Sequence, residues 1–161
     1  MTLSIILKPT RHLFQSGQRG MKIAMFEPKT IHIAAAVMMD DKERLLLVRK
    51  RGTAYFMQPG GKIEPGEDAL SALIRELREE LNLELSPEDL TPLGEFTDTA
   101  ANEPGHLLHA CMFSVERCIQ DVKPAAEIEE ILWLSASNIS SSQLAPLTLN
   151  KIIPHVWPST P

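Results

Sequence analysis

Glu76, Glu79 and Glu80 stand at i, i+3 and i+4 in a segment whose apolar residues recur at helical spacing. One turn of helix must therefore carry three carboxylates on one face. Like charges so placed destabilise a helix by about 0.2–0.5 kcal/mol per pair. No lysine relieves them between 64 and 84. A solvated acidic face is the ordinary reading of single acids, but three in one turn ask for a hard divalent cation. Mg2+ is the natural choice, since it takes oxygen ligands and keeps waters and substrate phosphates. Ala69, Leu70, Ala72, Leu73, Leu77 and Leu81 supply the apolar side of the helix, expected over about 67–81, and Asn82 occupies the position of a left-handed C-terminal cap.

The charge of the whole chain concentrates in the same place. Of 161 residues, 21 are acidic and 16 basic, for a formal net charge of -5. Residues 64–84 hold seven acids and two bases, and the remainder holds 14 of each, so this one stretch carries the entire excess. A mildly acidic chain lacks the lysine and arginine surplus that sequence-independent binding to a phosphate backbone requires, so no nucleic-acid partner is expected. No apolar run approaches the 18 residues of a membrane span, so no membrane is expected either.

Residues 1–22 contain Lys8, Arg11, Arg19 and Lys22 and no acid. They are expected to form a poorly ordered extension, with a single domain over 23–161 and Met21 as an alternative start. Residues 31–39 and 44–50 are apolar runs separated by a short polar turn, the pattern of a hairpin. Their continuous hydrophobicity calls for strands covered on both faces, hence an α/β arrangement with helices on either side of a sheet. Further strands are expected at 90–96, 107–118 and 128–134, the second of these central, with a short helix over 135–143. A terminal helix over 146–156 is expected to be limited by Pro154 and Pro158. Cys111 and Cys118, seven apart on one expected strand, would lie about 23 Å apart on opposite faces. That excludes a disulfide and favours a reducing, cytoplasmic setting. His106 and His109 do not share a strand face, and no Cys/His spacing reads as a zinc site.

The acidic helix belongs to a longer frame. From Gly61, five residues lead to Glu67, seven more to Arg75, and then follow Glu76, Leu77, Arg78, Glu79, Glu80, Leu81, Asn82 and Leu83. This resembles the Nudix box, G-x5-E-x7-R-E-U-x-E-E-x-G-U with U a bulky aliphatic. Gly61, Glu67, Arg75, Glu76, Leu77, Glu79, Glu80 and Leu83 match in register. Asn82 replaces the last glycine, at a position that asks for positive φ rather than for a functional group, and Asn tolerates that conformation.

The resemblance, which covers 23 residues, implies the Nudix fold: a mixed β-sheet sandwiched between helices (α/β/α), the box forming a loop, helix and loop. It implies a MutT-like hydrolase that splits the diphosphate linkage of a nucleoside diphosphate joined to a further group, X, by attack of water on phosphorus. Glu76, Glu79 and Glu80 become metal ligands for Mg2+, with Mn2+ as a substitute, and the Gly60 carbonyl becomes a further ligand. Arg75 and Glu67 pair to fix the helix on its leading loop. Glu79, then Glu76, is favoured as the base. An additional carboxylate is expected from Glu127, six residues ahead of Trp133, with Glu129 and Glu130 as rivals.

Arg49, Lys50 and Arg51 are candidates for substrate phosphates, and Phe56 and Gln58, next to Tyr55 and Met57, for a base. The alternative for the basic residues is a solvated strand end, and for the aromatics ordinary packing. Residues typical of the ADP-ribose, dinucleoside polyphosphate, NADH and coenzyme A subfamilies are missing, which leaves a small nucleotide such as a nucleoside triphosphate. A catalytically silent nucleotide-sensing module is the competing reading, although such modules usually lose box glutamates and this chain keeps them. Homodimers are frequent among relatives, and nothing in the sequence locates an interface.

Overall fold

The structure, a computed structural model, describes residues 27–159. The extension expected over 1–22 lies outside the described residues. The described residues form six strands, one long helix and a helical C-terminal segment: β1 (Thr30–Val37), β2 (Leu45–Lys50), β3 (Gly60–Lys62), α1 (Ala69–Leu81), β4 (Leu90–Thr99), β5 (Leu107–Val115), β6 (Ile128–Leu134) and α2 (Ile153–Val156). The larger sheet runs β3-β1-β5-β4. β1 and β5 are parallel and the other pairs antiparallel, so the sheet is mixed, as expected. β2 pairs antiparallel with β6 in a second sheet.

The apolar runs are continuous because alternate residues enter two cores. Ala34, Ala36 and Met38 join Ala72, Leu73, Leu77 and Leu81 of α1, together with Leu46 and Val48 of β2. Ala35 and Val37 face the other way, with Leu45 and Leu47, onto Leu147, Ile152 and Ile153 of the C-terminal segment. Helical layers on both sides of the strands thus follow from residues that alternate between the two faces of each strand. Truncating any one of these leucines to alanine would cost about 2–5 kcal/mol.

The expected hairpin survives only at its root. Asp40 N–H bonds the Arg44 carbonyl at 3.0 Å and Leu46 N–H bonds that of Met38 at 2.9 Å. Beyond that turn the strands part, β1 to β3 and β5, β2 to β6. Two strands each apolar on both faces gain more burial from separate neighbours than from each other.

Helix α1 starts behind Asp68, whose side chain accepts the Ser71 N–H. It ends at Asn82, left-handed at φ 53°, whose N–H meets the Arg78 and Leu77 carbonyls. The cap expected from sequence is thus in place, and the helix begins two residues later than expected. β5 is interior but stops at Val115, short of Cys118. β4 runs three residues past its expected end. Residues 136–141 form a 3-10 turn instead of an ordinary helix. Pro154 does not stop the terminal helix: a wider π turn over Thr148–Ile152 precedes it, and the chain stays helical to Val156. Pro154 cannot donate a helical N–H, and it stands directly after the π turn, where the bonding pattern of the helix changes step. Among the described residues, no helix is long and apolar enough to cross a membrane.

Candidate active site

The loop between β3 and α1 is tied back onto the helix by Arg75. Its guanidinium grips Glu67 through two bonds of 2.9 Å, reaches Glu76 Oε1 at 2.8 Å and meets the Lys62 carbonyl at 3.2 Å. Such fork-to-fork pairing holds direction as well as charge. The Arg75 bonds, opposed by burial and helped by the Glu64 N–H, hold the Glu67 carboxyl below its usual range. Glu76 is thereby fixed against Gly61, where a Cβ would run into its carboxylate. The glycine at this position is a requirement of space.

Glu80 is fully buried. Its Oε2 accepts the Gly60 N–H at 3.0 Å. Its Oε1 has no hydrogen bond of good geometry among the described residues, but it forms an ion pair with Lys50 Nζ at 3.1 Å. Burial pushes the Glu80 carboxyl up to about 7, against the pull of Lys50. Lys50 also donates to Glu127 at 3.0 Å. Burial works against the Lys50 charge, but Glu80 and Glu127 outweigh it and raise its pKa.

Carboxylate oxygens of Glu76, Glu80 and Glu127 come within 4.8 Å of one another. A donor set of three carboxylates, one fully buried and answered at one oxygen by an ion pair alone, and a backbone that leaves no room for a side chain fits a hard divalent cation. Glu127 is drawn in although it is remote in sequence. Its rivals Glu129 and Glu130 are occupied elsewhere, each accepting from the Arg49 guanidinium at 2.8 Å. Glu79 is outside the cluster, half-exposed, with Oε2 3.7 Å from Arg75.

A cleft of about 260 Å³ opens beside the carboxylates, on the side of the sheet away from α1. Ile31, Ile33, Ala35, Leu108 and Leu147 form apolar walls, and Lys50, Gly60 and Gly61 stand at its acidic end. Gln58 lines it too. The Gln58 side chain is buried, its Oε1 accepting the Thr148 hydroxyl at 2.8 Å while its Nε2 has no partner among the described residues. A buried amide donor left unpaired costs about 1–3 kcal/mol, and here it borders a cleft. Arg49, Arg51 and Phe56 are not part of the cleft lining. Arg49 is held by Glu129 and Glu130, with the Phe56 ring 5.8 Å from its guanidinium carbon, and Arg51 is exposed in a turn. Thr148 escaped sequence reasoning because nothing local marks a helical threonine 90 residues from its partner.

A family model described as the NUDIX domain matches residues 29–156. The CTP pyrophosphohydrolase of Escherichia coli (strain K12) is 30% identical over 122 residues, which span 73% of this chain and 85% of that relative. Among solved structures, a NUDIX hydrolase from Nitrosomonas europaea superposes with a TM-score of 0.60 at 30% identity, covering 79% of this chain and 88% of that one. The MutT protein of Methanosarcina mazei Go1 superposes with a TM-score of 0.64 at 22% identity, covering 81% and 94%.

Proposed function

The chain belongs to the Nudix family, and from that premise we propose that it is a Mg2+-dependent hydrolase of a small nucleotide, a nucleoside triphosphate in particular. The observation that carries this reading is the convergence of Glu76, Glu80 and Glu127 beside Gly60 and Gly61, at the end of an apolar cleft. Glu76, Glu80 and Glu127 would hold the metal, with the Gly60 carbonyl. Bound there, a divalent ion supplies neutralisation of the phosphate charge and activation of the attacking water.

The remaining work belongs to the chain's own residues. Arg75 and Glu67 keep the Glu76 carboxylate aimed past Gly61. Glu79, partly exposed one residue before Glu80, takes the proton of the attacking water, with Glu76 as the second candidate for that role. Lys50, at the junction of cleft and carboxylates, meets a substrate phosphate. The apolar walls take the base, and Gln58, oriented by Thr148, offers its Nε2 protons to an acceptor on the base edge. Similarity to a CTP pyrophosphohydrolase supports a nucleoside triphosphate as substrate.

A release assay for phosphate and pyrophosphate tests this. Canonical and oxidised nucleoside triphosphates, nucleotide sugars and dinucleotides would each be supplied with Mg2+ or Mn2+. Hydrolysis of one or more nucleoside triphosphates, abolished by chelation and restored by Mg2+, is the expected result. Tight nucleotide binding without release from any compound would favour the silent sensing module instead.

A further inference from the structure

We propose that Glu95, His109 and Cys111 form a zinc-binding site on the α1 side of the larger sheet, distinct from the catalytic carboxylates. One potential ligand atom from each lies within 4.8 Å of the others. The register explains how they meet. Cys111 pairs with Glu95 and His109 with Thr97 across β4 and β5, and residues 109 and 111, two apart on β5, share a face. Ligands drawn from two strands leave no Cys/His spacing in the sequence, so no motif betrays the site.

The histidine is held at both ring nitrogens. Its Nδ1 stands 3.3 Å from the Thr97 hydroxyl, and its Nε2 faces Glu95 Oε2 at 3.1 Å. Zinc on Nε2 would take the place of the proton shared there with Glu95, and Nδ1–H would then donate to the Thr97 hydroxyl, the usual support of a ligating histidine. His32, directly opposite His109 on β1 with ring centroids 5.2 Å apart, is the nearest further ligand type on this face. A thiolate, an imidazole and a carboxylate select zinc over Mg2+, which takes oxygen. Three protein ligands with a water in the fourth place complete the tetrahedron, as in open zinc sites.

Gly61, beside Glu76, pairs with Ala34, and Ala34 with Cys111. Cys111 thus stands two strand spacings, about 10 Å, from Gly61. Zinc here would fasten the edge strand β4 to the interior strand β5 and leave the catalytic carboxylates free.

Metal-free full-length protein titrated with Co2+ and then Zn2+ provides the test, read as the thiolate-to-cobalt absorption band, as zinc retained per chain and as the zinc-dependent rise in Tm. The expected result is about one zinc per chain and a band lost in Cys111→Ser, weakened in His109→Ala and kept in Cys118→Ser. Thr97→Val should weaken zinc by about tenfold. The Glu76→Gln, Glu80→Gln double variant should keep both band and zinc, which separates this site from hydrolysis. If Cys111→Ser does not fold, Glu95→Gln and His109→Ala carry the comparison. Absence of a band in the wild-type protein, its persistence in Cys111→Ser, or its loss in the glutamate double variant would overturn the proposal.

Discussion

The acidic end of the site and the apolar cleft beside it meet at β3 but are built on opposite principles. The acidic end is local: Gly60, Gly61, Glu67, Arg75, Glu76 and Glu80 all come from 21 consecutive residues, and only Glu127 and Lys50 arrive from elsewhere. The cleft is assembled from β1, the end of β2 and the turn after it, Met57 and Gln58, β3, the loop after β4, β5 and the C-terminal segment. Among the described residues its buried polar side chains are Gln58 and Thr148, which hold each other. On the proposed reading, the contrast makes chemistry and choice of substrate separable. Carboxylates, glycines and an arginine fork would set what can be done to a phosphate, whereas distant apolar side chains and one oriented amide would set which molecule is presented.

The sharpest way to break this division is Glu80→Gln. Removing the charge of this buried carboxylate, proposed to hold the metal, should lower kcat by about a thousandfold, the several kcal/mol expected of lost metal stabilisation, with KM little changed. Gly61→Ala should come next. Its methyl group would displace the Glu76 carboxylate, and a fall in kcat of about tenfold to a hundredfold, with an unaltered circular dichroism spectrum, would show that the glycine is there for room.

Gln58→Leu and Thr148→Val probe the other half. Each should raise KM by about tenfold, as expected for one hydrogen bond of 1–1.5 kcal/mol, while kcat stays within a few-fold. An equal fall in kcat would join the cleft to the chemistry and collapse the comparison. Asn82→Gly should leave turnover within a few-fold, because the left-handed cap requires φ rather than an amide.

The smallest effect concerns Asp40, far from both regions. Burial opposes its ionisation, but the Arg44 and Lys42 N–H groups and the Arg44 guanidinium outweigh it and hold its carboxyl below the ordinary 3.8. A depressed folded-state value means stability that is present above 3.8 and lost as pH falls through the lower one. Asp40→Asn should therefore narrow the loss of Tm below that pH, as followed by thermal melts from neutral to acid.

What sequence disclosed divides along the same line. The carboxylates of α1, the Asn82 cap and the Arg75–Glu67 pairing are encoded by offsets within a few turns, where spacing alone fixes geometry. The burial of β1 and β2 on both faces was legible from their unbroken apolar runs. Their separation into two sheets was not, since a four-residue polar turn serves a hairpin and a divergence equally well. Glu129 and Glu130 differ from Glu127 only in the strand register that gives them to Arg49. Thr148 depends on a contact that no local pattern reports.

The central claim is that the carboxylates act on the phosphate while the cleft only holds the nucleotide. Steady-state hydrolysis of one nucleoside triphosphate, compared at saturating Mg2+ between Glu80→Gln and Gln58→Leu, tests it most directly. The account predicts a kcat defect confined to the first variant and a KM defect confined to the second. Full turnover by Glu80→Gln, or a kcat loss in Gln58→Leu as large as that of the glutamate variant, would contradict it.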